Sequence, residues 1–121
     1  MLYRRNDPTV ITFKDRRVEC RGKLQISDVL QKADWPYNTE YTLIHSGKTA
    51  LLFPEKVHIR AQNTQHIEHV VIDEFGLLAP SYKMLVFLDW KFGDTIRVYY
   101  IKGQVAVLYK VEYFFDDDDE E

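Results

Sequence analysis

The chain has 121 residues, of which 45% are hydrophobic and 29% charged, a composition that supports one folded domain and excludes an intrinsically disordered protein. It has no apolar run of about 18 residues, and its first residues turn polar too early for a signal peptide. We therefore expect a cytoplasmic protein without a membrane span. The single cysteine, Cys20, predicts neither an internal disulfide nor a zinc cluster.

The net charge of −3 conceals a separation of charge along the chain. The last six residues, 116–121, carry six of the 19 acidic side chains, which leaves 13 acidic against 16 basic residues elsewhere. The body of the protein is therefore basic, by three charges. Because several of its cations fall in the first quarter of the chain, that stretch is the one most suited to meet phosphate.

The first predicted elements are short strands and tight turns. Thr9–Phe13 and the extended run that ends at Cys20 are typical of a hairpin around Lys14-Asp15. Arg21-Gly22 predicts a turn, because glycine accepts the positive φ of a tight reversal. Lys23–Ile26 then alternates polar and apolar residues, which indicates a half-buried strand.

A short helix and a hairpin follow. Ser27-Asp28 predicts the start of a helix over Val29–Ala33, which must end before Pro36. Two strand-like segments flank the turn signal Ser46-Gly47. They cover Glu40–His45 and Lys48–Phe53.

The second half of the chain predicts the same elements in the same order. They are a strand over Glu68–Ile72, a turn over Asp73–Gly76, a strand over Leu77–Ala79, a helix over Ser81–Leu88, and a hairpin of Thr95–Ile101 and Gln104–Phe115.

This order is an internal repeat. Gly22 and Gly76 lie 54 positions apart, Trp35 and Trp90 lie 55 apart, and the two hairpin glycines, at 47 and 103, lie 56 apart. Two copies can bury their apolar faces against each other. We predict one compact domain over residues 1–115, made of repeats at about 10–54 and 66–113 with a connector at 55–65, and a disordered acidic tail at 116–121.

Three segments of the repeat resemble a known family. Val71–Gly76 is similar to the opening V-D-E-x-G of the AbrB/MazE/SpoVT family, and Gly93–Tyr99 is similar to its G-D-x-[LIV]-x-[IV]-Y segment. Gly22–Ile26 resembles the family's G-R-[IV]-x-[IL] strand. The resemblance implies a mainly β protein with two short helices. With two copies in one chain, as in MraZ-like tandem proteins, it implies a swapped-hairpin β-barrel pseudo-dimer.

The resemblance also implies a DNA-binding transcriptional regulator. Family members contact double-stranded DNA through cations near the first turn, and the first copy keeps such cations. In the second copy, Leu77 stands at the position that Lys23 occupies in the first copy. We therefore expect the first repeat to contact the DNA backbone and the acidic tail to modulate binding. The predicted DNA-binding residues are Arg4, Arg5, Lys14, Arg16, Arg17, Arg21 and Lys23.

An alternative hypothesis is a protein-binding module that has lost its grip on DNA. Such an inhibitor or antitoxin-like protein, possibly encoded by a phage, would use the aromatic strands and the acidic tail on a basic protein partner. A homo-oligomer is compatible with either role. The partner-binding or autoinhibitory residues would be Asp116, Asp117, Asp118, Asp119, Glu120 and Glu121.

The sequence offers little that predicts catalysis. Ser46–Thr49 ends like a phosphate-binding loop but lacks its first glycine, since Thr42 stands there. His66 and His69 fall on opposite faces of a strand, so they do not form a metal site. We expect no enzyme activity, no cofactor and no metal. We expect Trp35 and Trp90 to pack in the core or between the repeats.

Overall fold

A computed structural model describes residues 9–55 and 66–112 of the chain. These residues form nine strands and two helices. In chain order they are β1 (Val10–Thr12), β2 (Arg16–Arg17), β3 (Leu24–Gln25), α1 (Ser27–Ala33), β4 (Thr39–Ser46), β5 (Thr49–Phe53), β6 (His66–Ile72), β7 (Leu77–Leu78), α2 (Tyr82–Leu88), β8 (Thr95–Ile101) and β9 (Val105–Lys110), with a 3-10 turn at Cys20–Gly22. The prediction of a mainly β fold with two short helices is confirmed.

The strands form one antiparallel sheet that curls into a half-barrel, in the order β1-β8-β9-β5-β4-β6-β7-β3, with β2 also paired to β8. The first strand of each repeat pairs with the hairpin of the other repeat. Strand β2 pairs with β8, and β6 pairs with β4. The repeats therefore interlock within one chain, as the swapped-hairpin prediction requires.

The two repeats are related residue by residue. Arg17 pairs with Thr95, and Val71, 54 positions after Arg17, pairs with Glu40, 55 positions before Thr95. The backbone repeats unusual conformations at the same spacing. Asp34 and Asp89 end the two helices with φ of 59° and 58°. This correspondence allows each side chain of one repeat to be compared with its counterpart.

The core lies between the interlocked repeats and draws matching residues from both. Val18 and Ile72 are buried at equivalent positions, as are Leu24 and Leu78. Each such side chain contributes about 1.5–3 kcal/mol by leaving water. Trp35 lies edge-on to Tyr100 of the other repeat at a centroid distance of 5.3 Å. Trp90 is buried as well, so the packing role predicted for both tryptophans is confirmed.

The prediction of a hairpin around Lys14-Asp15 is wrong. Strands β1 and β2 do not pair with each other, because both run antiparallel to β8. The register shifts by one residue between Thr12↔Tyr99 and Arg16↔Ile96, which is the shift that a β-bulge produces. Asp15 at this bulge accepts two hydrogen bonds of 3.0 Å from Arg97 on β8. The polar pair therefore marks a bulge in one long strand.

The start of α1 also differs from the prediction. The helix begins at Ser27, and Ile26 occupies the N-cap without a side-chain hydrogen bond. The Ser27 amide donates instead to Oε1 of Gln25, at 2.6 Å. The helix α2 begins at Tyr82 and is capped by Ser81, whose Oγ accepts from the Met84 amide at 3.1 Å.

Candidate nucleic-acid interface

Two equivalent turns lie at the centre of the candidate interface, and the first carries Arg21 and Lys23. Turn 1 (residues 19–23) closes with a Gly22 amide to Glu19 carbonyl bond of 3.0 Å, and turn 2 (residues 73–77) closes with the matching Gly76 to Asp73 bond of 3.1 Å. Gly22 has φ of 78° and Gly76 has φ of 82°. The positive φ is the reason that glycine recurs here.

The pairing of β3 with β7 brings the two turns close together. The Ile26 amide donates to the Gly76 carbonyl at 2.9 Å. The side-chain amide of Gln25 donates to the Phe75 carbonyl, also at 2.9 Å. Each turn also packs against the helix of the other repeat, turn 1 on Leu85 of α2 and turn 2 on Ser27 of α1.

Turn 2 is held by its own carboxylate. Oδ1 of Asp73 accepts from the amides of Phe75, at 2.8 Å, and Leu77, at 3.0 Å. The hydrogen bond from the Leu77 amide is the main reason that the pKa of Asp73 lies below its usual value, and the charge of Lys23 contributes. The ionised Asp73 thus acts as a turn-forming group, and Lys23 lies within its electrostatic range.

Arg17 and Arg21 present free charge at turn 1. Both side chains are exposed, and neither forms an ion pair or a side-chain hydrogen bond with any described residue. Lys23 is half-buried at the end of the same turn, and Lys14 is exposed at the bulge. These four cations, Lys14, Arg17, Arg21 and Lys23, form what we call the cationic cluster.

Arg16, in contrast, is engaged in hydrogen bonds within the protein. Its side chain is only 12% exposed and donates to Oδ1 of Asp28 at 2.6 Å and to Oδ2 at 3.0 Å. It also donates to the carbonyls of Gln25, at 2.9 Å, and Lys14, at 2.8 Å. Arg16 therefore ties β2 to β3 and α1, and we assign it to the fold rather than to an interface.

The remaining predicted residues lie outside the described part of the chain. They are Arg4, Arg5, Asp116, Asp117, Asp118, Asp119, Glu120 and Glu121.

The equivalent positions of the second repeat are apolar. Val71 corresponds to Arg17 and is 55% exposed, and Phe75 corresponds to Arg21 and is 66% exposed. The face that contains both turns is thus cationic on one side and apolar on the other. Alignment of the two copies shows that these positions are apolar in the second repeat, whereas the exposure of Val71 and Phe75 is apparent only from the fold.

A further cluster joins two histidines and a carboxylate at the edge of the β4 and β6 pairing. His45 is paired in register with His66, and the ring of Phe87 lies 5.0 Å from the first and 5.4 Å from the second. Glu68 contacts Nε2 of His66 at 2.8 Å. Among residues 9–55 and 66–112 no group of three or more potential ligands has the arrangement of a metal site.

No helix in the described ranges is both long enough and apolar enough to cross a membrane. Comparison with known proteins gave no match to a family model, to a curated protein or to a solved structure.

Proposed function

We propose that this protein is a DNA-binding transcriptional regulator of the AbrB/MazE/SpoVT-like type, with a grip on DNA confined to its first repeat. The observation that carries the proposal is the cationic cluster. Arg17 lies in β2 and Arg21 lies in turn 1, which follows β2 in the chain. Neither side chain forms an ion pair or a side-chain hydrogen bond with any described residue. Such arginines bind phosphate oxygens, and the interlocked strands would hold them in fixed positions.

The asymmetry between the repeats supports a one-sided grip. A symmetric dimer would offer cations from both turns, but Val71 and Phe75 occupy the second set of positions. We infer that the first repeat contributes most of the electrostatic affinity, with Arg4 and Arg5 adding to it from the N-terminus. The acidic tail, 116–121, competes for the same cations and lowers non-specific binding. This role requires a location where DNA is accessible, such as the cytoplasm.

The test is fluorescence anisotropy of a labelled mixed-sequence duplex over a series of salt concentrations. The R17E/R21E double variant should weaken binding by about 10-fold or more and reduce the slope of log affinity against log salt by about 2, since each phosphate contact contributes about 0.9. The K32E/K102E variant is the control, because it changes the net charge equally at two exposed sites away from turn 1. An equal loss of DNA affinity in the R17E/R21E and K32E/K102E variants would contradict the proposal.

The exposed apolar residues favour a second candidate, a protein-binding module. Val71 and Phe75 would then contact a protein partner, and the acidic tail would contact basic groups on it. Under this alternative the R17E/R21E variant keeps its activity, and removal of 116–121 weakens partner binding. Under the first proposal the same removal strengthens DNA binding.

A further inference from the structure

Helix α2 presents apolar side chains where α1 presents polar ones. Tyr82 is 81% exposed, Val86 60% and Phe87 46%. At the corresponding positions α1 has Ser27, Gln31 and Lys32. The two helices occupy equivalent places in the fold, so the requirements of the fold do not explain this difference.

A cavity of about 260 Å³ lies along this face of α2. We call it the α2 groove, and it is lined by Tyr82, Leu85, Val86, Asp89, Trp90 and Lys91. Trp90 is only 4% exposed, and its indole Nε1 has no hydrogen-bond partner among the described residues. A buried N–H group without an acceptor is costly. Because Trp90 lines the α2 groove, its ring should report on any segment that fills the groove.

Two cations lie in or next to the α2 groove. Lys91 lines the groove with a side chain that is 79% exposed, and the exposed Lys83 follows Tyr82 in α2. Asp89, the carboxylate in the groove lining, is shared between Lys110 at 3.0 Å and Lys91 at 3.7 Å, and the hydrogen bond from Lys110 is the main reason that the pKa of Asp89 lies below its usual value. The groove therefore suits an occupant with apolar side chains next to acidic ones.

The C-terminal end of this chain has that composition and starts close by. Glu112 lines a second cavity together with Phe87 and Asp89, and Asp89 also lines the α2 groove. Beyond Glu112 the sequence continues with Tyr113, Phe114 and Phe115, and then with six acidic residues. A segment of this length can span roughly 30 Å when extended.

We propose that the aromatic segment Tyr113–Phe115 binds in the α2 groove. This contact places the acidic tail beside the cationic cluster, because turn 1 packs directly on α2. A Cβ atom added to Gly22 would lie only 2.3 Å from Cδ1 of Leu85, which itself lines the groove. The groove would thus anchor the tail where its carboxylates compete with phosphate for Arg21. The anchoring itself does not depend on DNA binding, but its regulatory effect rests on the proposed function.

The indole N–H signals of the two tryptophans test the anchoring without DNA. In ¹H–¹⁵N NMR spectra, assigned with a Trp35→Phe variant, the Trp90 signal should differ between the full chain and a chain that ends at Glu112. A peptide of residues 111–121 added to the shortened chain should return the Trp90 signal to its full-length position. Identical Trp90 signals in both chains, and no response to millimolar peptide, would overturn the proposal.

A pair of matched variants locates the contact. Val86→Gln introduces at the groove the residue that α1 carries, and it should weaken peptide binding about tenfold through lost apolar burial. Val71→Gln makes the same change at an exposed site outside the groove lining and should leave peptide binding unchanged. Both side chains are more than half exposed, so neither change should unfold the protein. Equal effects from the two variants would contradict docking in the groove.

Parallel anisotropy measurements separate the two proposals. If the tail binds the groove but neither chain binds DNA, the proposed function fails and the docking stands. If DNA binds and Trp90 does not respond to the tail, the docking fails alone. If both hold, Val86→Gln in the full chain should increase DNA affinity toward that of the shortened chain.

Discussion

Gly76 lies so close to Ser27 that a Cβ atom on it would be 2.6 Å from the serine Cβ and 2.8 Å from its Cα. Gly76 belongs to turn 2 of the second repeat, and Ser27 begins α1 of the first. The contact involves the backbone of α1, which cannot give way as a flexible side chain can. It is one of the points at which the two repeats are fitted to each other.

Gly76→Ala should therefore destabilise the protein more than alanine at another glycine of positive φ. The left-handed conformation costs roughly 1–2 kcal/mol, and the overlap with α1 adds about 1–3 kcal/mol. Gly103 provides the control, because its φ is 74° and no atom lies within 4 Å of an added Cβ. Urea denaturation of both variants measures the difference. Equal losses of stability would show that turn 2 can move away from α1.

Ser81→Ala should destabilise the protein by about 1–2 kcal/mol, since Oγ of Ser81 both caps α2 and donates a hydrogen bond to Glu68. Ser27→Ala is the same substitution one position further along, at the first residue of α1. The Ser27 hydroxyl makes no hydrogen bond with any described residue, so the effect should be close to zero. Thermal unfolding followed by circular dichroism compares the two. A larger loss for Ser27→Ala would contradict the assignment of the caps.

The Glu68 carboxylate should make stability sensitive to acid. Burial opposes its ionisation, but hydrogen bonds from the hydroxyl and amide of Ser81, together with His66, outweigh burial and hold the pKa of Glu68 below the ordinary 4.5. A carboxylate with a lowered folded-state pKa stabilises the protein fully above its unfolded pKa, and this stabilisation is lost as the pH falls through the folded-state value.

The free energy of unfolding should therefore decline as the pH falls below about 4.5, and Glu68→Gln should reduce this decline. Glu74→Gln is the control, because Glu74 is exposed and has no interaction with any described residue. Urea denaturation at several pH values between neutral and acid provides the measurement. If the Glu68 variant had the same pH profile of stability as the unaltered chain, the stabilising role of the Glu68 carboxylate would be contradicted.

Separated repeats should not fold on their own. In a fragment of residues 1–60, β2 lacks its partner β8, and in a fragment of residues 61–121, β6 lacks its partner β4. Neither fragment at micromolar concentration should show the circular dichroism of the intact sheet. Equimolar mixing should restore it, because each fragment supplies the strand that the other needs. A folded monomer of either fragment alone would contradict the interlocked pairing.

Local signals in the sequence were sufficient for the elements whose causes are local. Gly47 and Gly103 lie at the tips of the two hairpins with φ of 63° and 74°, as the turn signals indicate. Both helices were predicted in the right places, since their apolar spacing and flanking residues decide them. The repeat predicted two matching halves, and the swapped-hairpin pairing between them was implied by the family resemblance.

What could not be predicted depends on partners distant in the chain. Lys14-Asp15 has the composition of a turn, but Asp15 pairs with Arg97, which lies 82 residues away. Arg16 reads as a free cation, although Asp28 and two backbone carbonyls bury it. Whether a charge is presented or enclosed is decided by the tertiary structure.

The pairing of each repeat's first strand with the hairpin of the other repeat also affects folding during synthesis. Strand β2 leaves the ribosome early, but β8, to which it pairs, follows only after most of the chain has been synthesised. The N-terminal half must therefore remain with an unpaired strand edge until β8 has been synthesised. Because each repeat supplies the partner of the other repeat's first strand, we expect both repeats to unfold together. A destabilising change in one repeat should then lower the stability of the other.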